Sequence, residues 1–224
     1  MVIDANGEPW SKHFEVPWSQ LCYLKTIGIA PTAELFELLS RVPNILQLTT
    51  DTASEIEGCP PAPSIRLDLE LPALRKLSLR DVYSAGPVKE LLARSNCALQ
   101  LHTLCLIGRG SFGGDAIREI LVMTRNPVDL LCFMATEEFE GDTVLSHVFL
   151  SSSDLDDPEF VAHPGPLTIS LPRLEQLEVT LYNTTREGIA AFFCVIPTIL
   201  PSLESAVIEG EGADRKEKYC WTRV

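Results

Sequence analysis

The chain is poor in aromatic residues, poor in basic residues and without any long apolar run. Aromatics make up 7% of its 224 residues against 46% hydrophobic overall, so aliphatic side chains must fill the interior. Lysine and arginine number 18 against 31 aspartates and glutamates, a formal net charge of −13. That balance argues against a sequence-independent grip on nucleic acid, which needs a basic surface, and against binding to anionic membranes. The longest apolar run, residues 189–196, stops at Pro197 and is well short of the roughly 20 residues that span a bilayer. Residues 1–20 lack a basic start followed by an apolar stretch, so no secretory signal is read and the expected compartment is cytoplasm or nucleus. Without that signal, the glycosylation-like Asn183-Thr184-Thr185 reads as chance. The seven cysteines contain no C-x-x-C pair and sit mostly in apolar runs. An odd count of that kind suits small buried hydrophobes in a reducing compartment better than a disulfide framework.

What is abundant is leucine, at 32 positions. It recurs in a phrase. Leu67, Leu69, Leu71, Pro72, Leu74, Leu77 and Leu79 are matched, one hundred residues later, by Leu167, Ile169, Leu171, Pro172, Leu174, Leu177 and Val179. The core of the phrase, L-x-x-L-x-L, has eight candidate copies. They are Leu21-Leu24-Ile27, Ile45-Leu48-Thr50, Leu74-Leu77-Leu79, Leu101-Leu104-Leu106, Val128-Leu131-Phe133, Leu145-Val148-Leu150, Leu174-Leu177-Val179 and Leu203-Ala206-Ile208. Their mean spacing is 26 residues, within the roughly 20–29 residues of a leucine-rich repeat.

In L-x-L the two apolar residues alternate along a short strand and face one side. Between the strands, return segments read as amphipathic helices. Thr32 caps residues 33–41, with Leu35, Leu38, Leu39 and Val42 on one side. Pro87 suits a first helical position, Asp115 precedes Ile117, Ile120 and Leu121, and Thr185 precedes a helix ending at Pro197. Strands alternating with helices give an α/β leucine-rich-repeat solenoid, a horseshoe with its parallel sheet on the concave side and helices on the convex side. Residues 1–20 are expected to form an N-terminal cap, 21–208 the irregular array, and 209–224 a charged C-terminal tail whose Tyr219 and Trp221 can fold back over the last repeat. Segments 51–64 and 151–166, rich in Pro, Ser, Asp or Glu, break the rhythm as surface excursions.

The stretches PWSQLCYLKTI (17–27), LFELLSRVPNILQLTT (35–50), LPALRKLSL (71–79) and LPRLEQLEV (171–179) resemble the irregular leucine-rich repeats that follow the F-box in fungal F-box proteins. The resemblance covers roughly residues 17–208 and implies a substrate-receptor module of a cullin-RING ubiquitin ligase, its repeats holding the protein to be ubiquitylated. No F-box is recognisable, so the resemblance implies contact with a ligase adaptor only if an F-box is supplied elsewhere. The family's Asn or Cys beyond L-x-L is also missing, its positions holding Val82, Arg109, Tyr182 and Glu211.

Few residues suggest chemistry. Gly108-Arg109-Gly110-Ser111-Phe112-Gly113 spells G-x-G-x-x-G and resembles a kinase glycine-rich loop, but Asp115 stands where that loop needs Val, and no V-A-I-K, H-R-D or D-F-G occurs. As a dinucleotide loop it would use Gly108, Gly110 and Gly113, with Glu137 or Glu138 on the ribose. A glycine-rich turn leaving a repeat strand explains the same residues without a cofactor. Asp154, Asp156, Asp157 and Glu159 lack calcium-loop spacing and read as a solvated acidic loop. They belong to residues 126–172, which hold nine acidic side chains and no Lys or Arg. The four histidines have no ligand spacing, so neither a metal nor a cofactor is expected.

The remaining candidate is the face opposite the L-x-L leucines. Its expected members include Lys76 and Arg80, Cys105 and Ile107, Cys132 and Met134, Phe149, and Glu178. An apolar centre between charged flanks is the character of a protein-binding surface. Residues 128–134 are apolar at both parities, so a one-residue slip there exchanges the faces. The expected activity is therefore non-enzymatic recognition of a protein partner, the alternatives being a stand-alone scaffold or a nucleotide-binding α/β protein.

Overall fold

The computed structural model describes residues 2–4, 17–30, 32–52, 69–82, 85–108, 114–124, 129–134, 148, 171–182, 184–211 and 216–223. Among these described residues nine strands form one sheet in sequence order: β1 (Val2–Asp4), β2 (Tyr23–Ala30), β3 (Gln47–Thr52), β4 (Lys76–Val82), β5 (Thr103–Gly108), β6 (Asp129–Met134), β7 (Gln176–Tyr182), β8 (Ser205–Glu211) and β9 (Lys216–Thr222). Strands β1 to β8 are parallel, and β9 turns back antiparallel on β8. The architecture is mixed α/β and the described sheet is open, with β1 and β9 at its two ends. Helices α1 (Thr32–Ser40), α2 (Ala85–Ser95), α3 (Gly114–Met123) and α4 (Arg186–Ile199) provide crossovers between parallel neighbours.

The sheet stays in register because the leucines stack. Leu48 aligns with Leu77, Leu77 with Leu104, Leu104 with Leu130, and Leu130 with Leu177. One buried cluster joins Leu48, Leu77, Leu104 and Leu177 to Leu35, Leu38 and Leu39 of α1, Leu91 of α2, Ile120 of α3 and Ile189, Phe192 and Ile196 of α4. The helices therefore pack on the leucine face. Burying each such side chain stabilises by about 1.5–3 kcal/mol.

A turn precedes four of the rungs. Prolines 43, 72, 172 and 201 follow Val42, Leu71, Leu171 and Leu200, whose carbonyls accept from the N–H groups of Ile45, Leu74, Leu174 and Leu203. Proline presets φ at the second turn position, where no N–H is needed. The two residues outside it are buried, so the turn delivers the chain from core to strand. A backbone clamp then repeats at the strand entries. The carbonyls of Cys22, Leu46, Arg75 and Glu175 each accept two N–H groups from the start of the next rung, and that of His102 accepts from Asp129.

Several sequence expectations are corrected. In β2 the buried pair is Leu24 and Thr26, while Ile27 is exposed, so Thr26 takes the slot assigned to Ile27. Leu130, not Leu131, aligns with Leu104 and Leu177, the one-residue slip that an all-apolar segment permits. β6 pairs directly with β7, and of the sixth phrase Val148, the one described residue, is helical and buried rather than in a strand. Helix α2 begins two residues before Pro87, and α4 runs through Pro197 to Ile199. Residues 209–211 belong to β8 and 216–222 to β9, so the expected boundary at residue 208 falls inside a strand. Trp10 and Phe14 of the expected N-terminal cap lie outside the described residues, whereas Trp18 packs on the core.

Candidate functional site

Cα partners in a parallel sheet present their side chains to the same side, so register defines rows across the outward face. One row runs Tyr23, Gln47, Lys76, Thr103, Asp129, Gln176 and Ser205. The next runs Lys25, Thr49, Ser78, Cys105, Leu131, Glu178, Val207 and, on β9, Cys220. A third, interrupted by register shifts, carries Asp51 beside Arg80, then Met134, Thr180, Glu209 and Lys218.

Of the expected site residues, Lys76, Arg80, Cys105, Ile107 and Glu178 lie on strands of this one face. Lys76, Cys105, Ile107 and Glu178 are half-buried, and Arg80 is exposed. Met134 is the register partner of Thr180. A register shift falls between Leu131 and Met134, where Cys132 lies, and the register partner of Cys105 and Glu178 is Leu131 rather than the expected Cys132. Phe149 lies outside the described residues.

Charge is distributed unevenly over this surface. Lys25, Lys76 and Arg80 stand on β2 and β4, whereas Glu178 and Glu209 stand on β7 and β8. The Lys218 ammonium donates to Glu209 Oε1 at 3.0 Å, and that hydrogen bond holds its pKa above the ordinary lysine value. Between the wings, Thr103 Oγ1 donates to Asp129 Oδ2 at 3.2 Å, and His102 Nδ1 lies 3.7 Å from the same oxygen. Ser78 and Thr103 are buried although they face outward, because short side chains sit below longer neighbours.

Sequence reasoning missed Tyr23, Lys25 and Ile27. Their rung was obscured because threonine fills its second leucine slot, which displaced the reading by one residue. Alternation from Leu24 was the available signal. Tyr23 and Ile27 are each 40% exposed, large for apolar side chains on a strand.

Among the described residues no group of His, Cys, Asp and Glu is placed to hold a metal ion. Among them, too, no helix is long and apolar enough to cross a membrane. Gly108 ends β5 and α3 begins at Gly114, with Arg109, Gly110 and Gly113 outside the described residues. No protein-family model matches the chain, and comparison with curated proteins finds no relative.

Proposed function

We propose that this chain is a non-enzymatic protein-recognition module, a leucine-rich-repeat solenoid with its sheet on the concave side, resembling the substrate-binding repeats of F-box ubiquitin-ligase receptors. One observation carries the reading: strands in unbroken sequence order line up outward side chains in rows, with half-buried Cys105 and Ile107 of β5 standing between Lys76 and Arg80 of β4 on one side and Glu178 and Glu209 of β7 and β8 on the other. Stacked repeats offer such a surface to other proteins, with affinity set by shape and charge complementarity. In this reading the partner is a protein bound for ubiquitylation in the cytoplasm or nucleus, and the ligase adaptor is reached through an F-box supplied elsewhere. A stand-alone scaffold shares the surface and lacks that link.

The test is affinity capture with the full chain, with Ile107→Glu and with Glu178→Lys, folding being followed by circular dichroism. A partner set captured by the parent and lost with either outward substitution is the expected result. Capture indifferent to both would overturn the reading. Fusing an F-box segment should add the ligase adaptor to the captured set; if it does not, the scaffold stands. Stabilisation by ATP or NAD in a thermal-shift experiment would instead restore a nucleotide site.

A further inference from the structure

The acidic balance of the chain makes its few uncompensated cations informative. On β2, Tyr23, Lys25 and Ile27 alternate along the outward face. Two strands away, Lys76 shares a row with Tyr23 through Gln47. Across β2 to β5 the first two rows read Tyr23, Gln47, Lys76, Thr103 and Lys25, Thr49, Ser78, Cys105, without one carboxylate. Among the described residues neither lysine forms an ion pair. The third row differs: Asp51 is the register neighbour of Arg80, so that row pairs residues of opposite charge in sequence. Asp4 likewise aligns with Ile27 at the margin. The uncompensated positive charge thus belongs to Lys25 and Lys76, flanked by exposed Tyr23 and Ile27.

We infer that this β2–β4 wing docks an extended acidic segment of a partner protein, with carboxylates on Lys25 and Lys76 and an apolar side chain against Tyr23 and Ile27. The inference rests on the recognition reading and names the chemistry of its partner. Strand spacing places the two lysine Cα atoms about 12 Å apart, and two carboxylates about four residues apart in an extended chain span a similar distance. The half-buried lysines lie on an apolar-flanked sheet, where ion pairing to a partner is screened less than at a fully exposed site.

The experiment is a selection of randomised short peptides on the full chain, followed by fluorescence anisotropy of the enriched peptides. Enrichment of Asp or Glu together with a large apolar residue is expected. Binding should weaken on the order of tenfold or more in the double variant K25E/K76E and persist in K25R/K76R. A selection repeated on K25E/K76E should enrich Lys or Arg. Should the reversed variant fail to fold, K25Q/K76Q gives the same loss without added repulsion. Enriched peptides that are not acidic, or acidic peptides that bind K25E/K76E or K25Q/K76Q unchanged, overturn the inference. Peptides lost with Ile107→Glu or Glu178→Lys but not with the lysine variants would overturn it while leaving the recognition reading standing. Peptides indifferent to every outward substitution would overturn both.

Discussion

Thr26 and Thr50 occupy the slots that Leu79 and Leu106 fill two rungs on, and both are buried, with their hydroxyls hydrogen-bonded to one another. Thr26 Oγ1 donates to Thr50 Oγ1 at 2.5 Å. Thr50→Val takes away the acceptor and leaves a buried hydroxyl, at a cost of about 1–3 kcal/mol. T26V/T50V should cost clearly less than the two single changes together. Urea unfolding of all four proteins checks this, and additive singles would count against the pair. Gly210 shows the opposite economy, a missing side chain. A Cβ there would stand 2.8 Å from Thr184 Cγ2, with Ile189 and Tyr219 close behind. Gly210→Ala should destabilise by about 1–3 kcal/mol through overpacking, and T184S/G210A should recover part of it by deleting the methyl group. Thermal unfolding of both variants reads the difference. Cys97 is buried against Ser95 at 2.9 Å, and burial pushes its thiol pKa up. The folded state therefore holds the proton longer than the unfolded chain. Its stabilisation is complete below the ordinary thiol value of about 8.5 and declines as pH rises through the native value. Cys97→Ala should flatten that alkaline decline in thermal melts taken across the range, whatever it costs at neutral pH.

At the scale of elements, capping and turn chemistry set the ends. Thr185 Oγ1 accepts from Gly188 N–H at 3.0 Å and opens α4, as the sequence predicts. Thr185→Ala should cost about 0.5–2 kcal/mol in denaturant unfolding. At the close of α2, Asn96 adopts φ 51°, the left-handed residue that ends a helix, and the Ser95 carbonyl accepts from Leu71 N–H of the preceding rung. The helix end is thereby tied to its neighbour. Pro197 is tolerated because it falls in the last turn of α4, and Leu200 N–H still reaches the Ile196 carbonyl. Strand β9 was legible only in part. Its Lys, Glu and Lys read as a solvated tail, yet register places Tyr219 beside Ile208 and Trp221 beside Ala206, on the core side. Arg186 of α4 holds it further, its Nη2 lying 3.1 Å from Glu217 Oε1. These contacts cover the β8 end of the sheet.

Across the whole molecule, each rung touches mainly the rungs beside it, so stability should be graded along the sheet. Leu104 is fully buried, with Leu77 on one side and Leu130 on the other. Leu104→Ala should cost about 2–5 kcal/mol. Native-state hydrogen exchange should show the loss spreading to amides of β4 and β6 before those of β8 and β9. A uniform loss of protection over the nine described strands would show instead that the sheet unfolds as one unit.

Leucine spacing by itself determined that strands alternate with helices, which residues of most rungs face the core and where the prolines fall. Those follow from local periodicity and the fixed φ of proline, which need no knowledge of neighbours. Tertiary structure alone decided the register of β6, because Leu130, Leu131 and Phe133 are apolar on both faces and only pairing with Leu104 and Leu177 selects one. It alone paired β6 directly with β7, because the edge of β6 takes one neighbour and the phrase spacing does not say which segment supplies it. It also brought Tyr23 and Lys25 into line with Lys76, a juxtaposition that depends on how three strands stack and leaves no periodic mark in the chain.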